Sequence, residues 1–182
     1  SGWSFGMGVK ENNFLGNGIA LDTNFELTSE SFKGKFSITN PHFNNSNRSL
    51  FVSAEATEND NYQTFGYKTN KTGLSIGTNF EYLNDFYLGL ANSNFYEEIQ
   101  TNSTASAQQQ AQEGNYWDSF IKIDMNYDKR NQKFQTSSGF RSYYSLDLPV
   151  ISDTNTIKNY YNYDHYFDFF EKNFSSISIY LQ

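Results

Sequence analysis

The chain has 182 residues, 37% of them hydrophobic, a net charge of −7 and a mean hydropathy of −0.71, yet it contains 18 Phe and 14 Tyr. Disordered chains are polar but poor in aromatic residues, which argues against disorder. The negative charge argues against a nucleic-acid partner, because phosphate binding needs clustered Lys and Arg. The absence of cysteine excludes disulfides and thiolate metal sites. No apolar run approaches the length of about 18 residues that a membrane-spanning helix needs.

The first strong signal is a two-residue alternation of apolar and polar side chains. One set comprises Ile19, Leu21, Thr23, Phe25 and Leu27, and the other comprises Ala20, Asp22, Asn24 and Glu26. This period indicates a β-strand with one apolar and one polar face. Because it recurs in blocks of about ten residues, which suits strands crossing a bilayer at about 45°, the sequence predicts an all-β, antiparallel up-and-down transmembrane β-barrel.

Ten strands are predicted, near 2–11, 19–28, 31–39, 49–57, 73–82, 86–95, 116–127, 139–149, 157–170 and 174–182. Short turns are expected at 12–18 and 83–85, and long polar loops at 58–70 and 97–115, with a turn or two of helix in 105–112. Alternating short turns and long loops are typical of outer-membrane barrels. The aromatic residues predicted near strand ends, where a girdle would lie, are Trp3, Tyr82, Trp117 and Tyr127.

No catalytic, cofactor-binding or metal-binding residue is predicted. His42 lies in a turn and His165 in an aromatic strand, and two histidines are too few for most metal or acid–base sites. Glu97 and Glu98 are adjacent, so on a strand they point to opposite faces and cannot share a site. The sequence therefore predicts no enzyme.

Two further groups of residues have an ordinary and a functional interpretation. Glu58 and Asp60, with the neighbouring Asn59 and Asn61, could bind calcium weakly in a loop, but no EF-hand pattern surrounds them and a solvated loop is favoured. Inward glycines such as Gly73 and Gly77 are expected to let strands bend and approach closely rather than to form contacts.

Two stretches resemble BamA-type outer-membrane assembly proteins, the bacterial surface antigen family. The first runs from Gly2-Trp3-Ser4-Phe5-Gly6-Met7-Gly8-Val9 through Asn12-Asn13-Phe14-Leu15-Gly16-Asn17-Gly18 to Thr39-Asn40-Pro41-His42-Phe43. The second runs from Asn126-Tyr127-Asp128-Lys129-Arg130 to Thr136-Ser137-Ser138-Gly139. It departs from the family pattern at Gln135, where proline is usual, and at Asn131, where aspartate is common.

The resemblance implies that residues 1–182 are part of one outer-membrane barrel domain, in register with about the second to eleventh strands of a sixteen-stranded barrel. It leads us to expect soluble periplasmic repeats, a Val-Arg-Gly-Phe loop tip and the C-terminal strands outside this chain. The ten predicted strands should then form an open sheet. No functional residue is carried over, because the family's gate strands and loop tip lie elsewhere.

The function implied by the resemblance is insertion and folding of other outer-membrane proteins in the bacterial outer membrane, with no cofactor. The partners implied are outer-membrane lipid, nascent outer-membrane proteins and assembly lipoproteins. A related polypeptide-secretion pore, a passive porin-like channel and a soluble glycan-binding β-sandwich are alternatives. A closed core containing Ile19, Phe36, Ile76 and Ile121 would exclude the membrane interpretation.

Overall fold

The computed structural model describes residues 2–152, 156–170 and 173–181, and these form one antiparallel sheet of ten strands. The strands are β1 (Ser4–Phe14), β2 (Ile19–Thr28), β3 (Ser31–Asn40), β4 (Arg48–Asn61), β5 (Tyr67–Leu83), β6 (Phe86–Thr101), β7 (Gly114–Asp128), β8 (Gly139–Ile151), β9 (Lys158–Phe170) and β10 (Asn173–Leu181). Each strand pairs only with its neighbours in the chain, in the order β1 to β10. Ser1 and Gln182, at the two ends of the predicted set, lie outside the described residues.

The tight connection between β1 and β2 follows from its residue types. Leu15, Gly16 and Gly18 all have positive φ angles, of 56°, 72° and 67°, and glycine adopts such angles without steric cost. The Asn13 side-chain oxygen accepts a hydrogen bond of 2.7 Å from the Gly18 amide, which closes the turn. The short turn predicted at 12–18 is therefore confirmed, although β1 continues to Phe14.

The prediction of a long loop at 58–70 is wrong. β4 continues to Asn61 and β5 begins at Tyr67, so only 62–66 connect them, through the single-turn helix α1 (Tyr62–Phe65). The loop at 97–115 shrinks likewise to 102–113, which contains the expected helical turn as α2 (Ala107–Gln110). The polar residues at the ends of these segments still pair across the β4–β5 and β5–β6 ladders, so polar composition here does not indicate a loop. Neither helix, nor any other among the described residues, is long and apolar enough to cross a bilayer.

Direct cross-strand pairing assigns the side chains to two faces of the sheet. The apolar face includes Met7, Phe25, Phe36, Val52, Ile76, Leu90, Ile121 and Leu148. The polar face includes Lys10, Asp22, Lys35, Glu55, Ser75, Ser93, Lys122, Asp147 and Lys158.

The apolar face packs against no second layer in the described part of the chain. Phe36, Ile76 and Ile121 are 42%, 50% and 40% exposed, and Ala105 in a loop, at 8% exposure, is the one buried apolar residue among those described. Ile19 lies half-buried at the start of β2. Ile19, Phe36, Ile76 and Ile121 therefore do not form the closed core that would have excluded a membrane protein.

On the polar face, two glycines make room for aromatic rings. Phe51 pairs directly with Gly77, and Phe95 with Gly73. A β-carbon added to Gly73 would lie 2.7 Å from the Phe95 ring, and one added to Gly77 would collide with the Phe51 ring. The Lys71 ammonium lies 4.7 Å from the Phe95 ring centroid on the same surface. These glycines therefore accept ring contacts, contrary to the expectation that they serve only to let the strands bend.

Candidate functional surfaces

The apolar face has the height of a bilayer core. Along β6 it extends from Phe86 to Tyr96, a separation of ten residues. At about 3.3 Å per residue and a tilt of about 45°, this distance covers about 23 Å of membrane thickness, close to the apolar band of about 25 Å in outer-membrane barrels.

Aromatic rings occupy both margins of that band. The Phe86 and Tyr127 ring centroids are 6.2 Å apart at one margin, where Phe140 also lies 5.4 Å from Tyr127. Tyr96 and Trp117 are 6.4 Å apart at the other margin. Such rings suit the interface between hydrocarbon and head groups. Of the four predicted girdle residues, Trp117 and Tyr127 lie in these aromatic pairs.

The polar face carries a mixed-charge wall, and on β5–β9 it forms a shallow cavity of about 450 Å³. The cavity is lined by Lys71, Lys122, Lys158, Asp118, Asp147 and Phe95, among others. Asp147 has one buried carboxylate oxygen that accepts no hydrogen bond from the described residues. Both signs of charge alternate here, so the wall suits water and polar chain segments rather than one class of ion.

A hydrogen-bond network stiffens the polar face nearer the turn end of β7 and β8. The Tyr143 hydroxyl donates to the Asp124 carboxylate over 2.7 Å, and the Arg141 Nε donates to the Asn126 side-chain oxygen over 3.0 Å. Both bonds join β7 to β8 across the ladder. They fix the charged side chains against the wall instead of leaving them extended into the interior.

The second family-like motif forms the connection between β7 and β8, and side-chain hydrogen bonds hold its conformation. Arg130 makes a two-pronged contact with Asp128, its Nε and one terminal nitrogen lying 2.8 and 2.6 Å from the two carboxylate oxygens. Their side chains are only 15% and 9% exposed. Asp128 ends β7 just beyond the Tyr127 ring and outside the apolar band. The hydrogen bonds from Arg130 hold the pKa of Asp128 below its usual value.

The structure shows how Asn131 and Gln135, the two residues that differ from the family pattern, fit into this turn. Asn131 replaces the usual aspartate, and its side-chain oxygen still accepts hydrogen bonds of 3.2 Å from the Ser137 and Ser138 amides. Gln135 replaces the usual proline and has a φ of 52°, which proline cannot adopt. Gly139 has a φ of 102° and abuts the Lys129 carbonyl, so glycine is required there.

The acidic residues considered for calcium are already paired. The Lys68 ammonium lies 3.0 Å from Glu58 and 3.1 Å from Asp60, between the two carboxylates. Hydrogen bonding to the Tyr62 amide, and then to Lys68, lowers the pKa of Asp60. Nowhere in the described ranges do three or more His, Asp or Glu residues converge as a metal site would require.

The structure keeps the remaining candidates apart. His42 is exposed in the β3–β4 connection, whereas His165 lies on β9, with its Nδ1 3.1 Å from the Tyr163 hydroxyl. Glu97 and Glu98 lie on opposite faces of β6, as expected from their adjacency.

Sequence reasoning missed one group, the polar residues Asn92, Asn94 and Ser119 on the apolar face of β6 and β7. The signal was present, because positions 92 and 94 interrupt the apolar series that begins at Phe86.

Comparison with known proteins adds two findings. The model of the Omp85 superfamily domain matches residues 13–182. The structure is similar to the crystal structure of BamA from Haemophilus ducreyi lacking POTRA domains 1–3, with a TM-score of 0.66 and 20% identity, over 90% of this chain and 34% of that one. This chain thus spans about a third of the length of that crystallised chain, and the likeness is one of fold. No curated protein matches the sequence.

Proposed function

Because this chain belongs to the Omp85 superfamily, we propose that it is part of the outer-membrane barrel of machinery that inserts and folds other outer-membrane proteins. The family match over residues 13–182 is the observation that carries this proposal. The bilayer-sized apolar face and the polar wall support it. We further propose that residues 1–182 form about the second to eleventh strands of a sixteen-stranded barrel in the bacterial outer membrane.

In this proposal the chain acts by contacting lipid, water and other polypeptides, and it makes or breaks no covalent bond. Its apolar face contacts outer-membrane lipid and keeps the ladders out of water, while the polar wall encloses an aqueous interior. A nascent strand would find a partner at an unpaired strand edge of the whole barrel, since a bare edge in lipid leaves costly unsatisfied amides. Nascent outer-membrane proteins and assembly lipoproteins are the proposed partners, and no cofactor is required.

The decisive experiment uses the full-length parent protein reconstituted in vesicles of outer-membrane lipid. A urea-denatured client barrel is added, and its folding is followed by the mobility shift of folded barrels on gels. We expect faster folding than in matched vesicles that contain an unrelated closed barrel of similar size. Equal folding rates in the two preparations would overturn the assembly function.

A polypeptide-secretion pore is the second candidate, and the mixed-charge cavity lined by Lys71, Lys122 and Asp147 is the feature that favours it. A secretion pore or a passive channel would give steady ion conductance in planar bilayers without added client. The assembly function predicts little steady conductance, with acceleration of client folding. The two measurements together separate the candidates.

A further inference from the structure

Four connections at one end of the sheet share a feature that neither face of the sheet explains. These connections, which we call the turn end, comprise residues 15–18, 41–47, 84–85 and 129–138. Each contains or directly follows an exposed large apolar residue, namely Leu15, Phe43, Leu83 and Phe134, which are 79%, 47%, 63% and 81% exposed. An exposed apolar side chain at each of four neighbouring turns indicates a contact surface rather than scattered exposure.

The turn end follows a straight line across the sheet, and this line is tilted against the rows of paired residues. One row of direct partners contains Leu21, Ile38, Val52, Ile76, Asn92, Ile121 and Leu148. From this row the strands continue toward the turn end for two residues in β2, four in β4, six in β6 and nine in β8. This increase of about 1.2 residues per strand corresponds to a tilt of about 40°, at about 3.3 Å per residue and 4.8 Å between strands.

This tilt makes the turn end parallel to the membrane surface, because strands of outer-membrane barrels are themselves tilted by about 35–45°. The apolar band shifts with the turns, from residues 19–27 on β2 to residues 140–148 on β8. At the opposite end, a parallel line would need extensions that shorten steadily from β2 to β8. The same row instead continues there for seven residues in β2 and for nine in both β4 and β6. The turn end is therefore flush with the apolar band, whereas the opposite end projects beyond it.

Side chains at the turn end continue the lipid-facing surface. Leu83 pairs directly with Phe86, whose ring lies in the aromatic margin 6.2 Å from Tyr127, so Leu83 lies on the outer side of the sheet. Arg48, the first residue of β4, pairs with Phe80 on the same side, and its guanidinium carbon is 5.2 Å from that ring centroid. Arg48 is exposed and forms no ion pair with any described carboxylate. A guanidinium at this level is complementary to lipid phosphate.

We propose that the turn end is seated in the phospholipid head-group layer of the periplasmic leaflet, the side on which outer-membrane barrels have their short turns. Its apolar side chains reach the boundary between head groups and acyl chains, while the turn backbone stays hydrated. The two-residue connection 84–85 is too short to carry Leu83 away from that layer. The inference rests on the proposed placement of the chain in an outer-membrane barrel.

The test uses the full-length parent protein in phospholipid vesicles, with every cysteine outside this segment replaced. This chain has none, so Leu15→Cys and Leu83→Cys each introduce a single thiol for a nitroxide spin label. Power-saturation electron paramagnetic resonance measures how often the label collides with oxygen, which concentrates in lipid, and with a nickel chelate, which stays in water. We expect both labels to collide with oxygen several-fold more often, relative to the nickel chelate, than a label exposed to water does.

Phe65→Cys is the matched water-exposed control, because Phe65 is 62% exposed in the β4–β5 connection at the projecting end. Ile76→Cys reports on the apolar band itself, and a preference for the nickel chelate there would overturn the membrane placement and the inference together. If Ile76→Cys favours oxygen while Leu15→Cys and Leu83→Cys favour the nickel chelate, the turn end lies in water and the inference alone fails. Few collisions of these two labels with either reagent would mean that a protein domain covers the turn end, which also overturns it.

Discussion

The two faces of this sheet obey opposite rules. The apolar face contacts no protein layer in the described part of the chain, so it should accept changes of shape but not of charge. The polar face carries charges of both signs yet holds Phe51 and Phe95 tightly against glycines, so it should accept charge but not every change of shape. The polarity of a side chain therefore decides whether a substitution is tolerated on the apolar face, whereas its size and shape decide this at the glycine–aromatic contacts of the polar face.

The largest expected loss of stability comes from introducing an arginine on the apolar face, and the same substitution on the polar face is its control. Val52 and Ser53 are adjacent on β4, with Val52 on the apolar face between Ile38 and Ile76 and Ser53 on the polar face. Val52→Arg should lower the free energy of unfolding by about 2–4 kcal/mol, the cost of arginine near the bilayer midplane. Ser53→Arg should have little effect. Urea unfolding of the full-length protein in vesicles measures both, and equal losses would contradict the assignment of faces.

A smaller effect is expected from shape on the polar face. Gly77→Ala places a β-carbon against the Phe51 ring and 2.9 Å from the Ala91 β-carbon, so the ring must move. We expect a loss of about 1–3 kcal/mol in the same unfolding measurement. Gly6→Ala is the control, because its β-carbon meets only the Phe25 carbonyl at 3.7 Å. If Gly6→Ala costs as much, backbone curvature and not ring contact determines these positions.

The contact between Asp128 and Arg130 in the β7–β8 turn predicts that the stability of the protein depends on pH. The pKa of Asp128 is lowered in the folded protein, so its stabilising contribution is present above about pH 3.8, its ordinary value, and is lost as the pH falls through the lower folded value. Asp128→Asn should therefore cost about 1–2 kcal/mol at neutral pH, and this difference should shrink in acid.

Asp85→Asn provides the control for that turn. Asp85 contacts Lys129 at 2.6 Å, but both side chains are 38% exposed, so water screens the pair and its loss should matter less than that of Asp128. A difference between wild type and Asp128→Asn that stays constant from neutral pH to strong acid would exclude the ionic contact as its source.

The smallest effect should come from the strand extensions beyond the membrane. Lys68→Met removes the ammonium between Glu58 and Asp60, whose side chains are each 43% exposed. Exposed ion pairs contribute little, so we expect no resolvable change in the urea midpoint. A loss as large as that of Gly77→Ala would mean that the extensions are stabilised by this pair.

The strands are largely predictable because lipid imposes a strict alternation on every second residue. β2 begins at Ile19 and ends at Thr28, as predicted. Where the strands extend beyond the membrane, both of their faces meet water and the alternation of apolar and polar residues disappears. The alternation therefore no longer identifies strands there. The segment from Glu58 to Asn70 therefore has the sequence character of a loop, although backbone pairing continues through most of it.

The finer features depend on register, which one sequence does not reveal. Phe51 and Gly77 are far apart in the chain, and only the β4–β5 ladder brings them face to face. The contacts of Asn92 with Ser119 and Phe120 likewise need the neighbouring strand. The family-like motif at the β7–β8 turn ends at Gly139, whose positive φ favours glycine, while Gln135 adopts a φ that proline would forbid.

Every ladder in the sheet joins strands that follow one another in the chain. Each new strand can consequently add to the hairpin completed just before it, without waiting for a distant segment to arrive. Assembly can then proceed from one end as a processive zipper, in which the entropy lost at each closure is that of a single short connection.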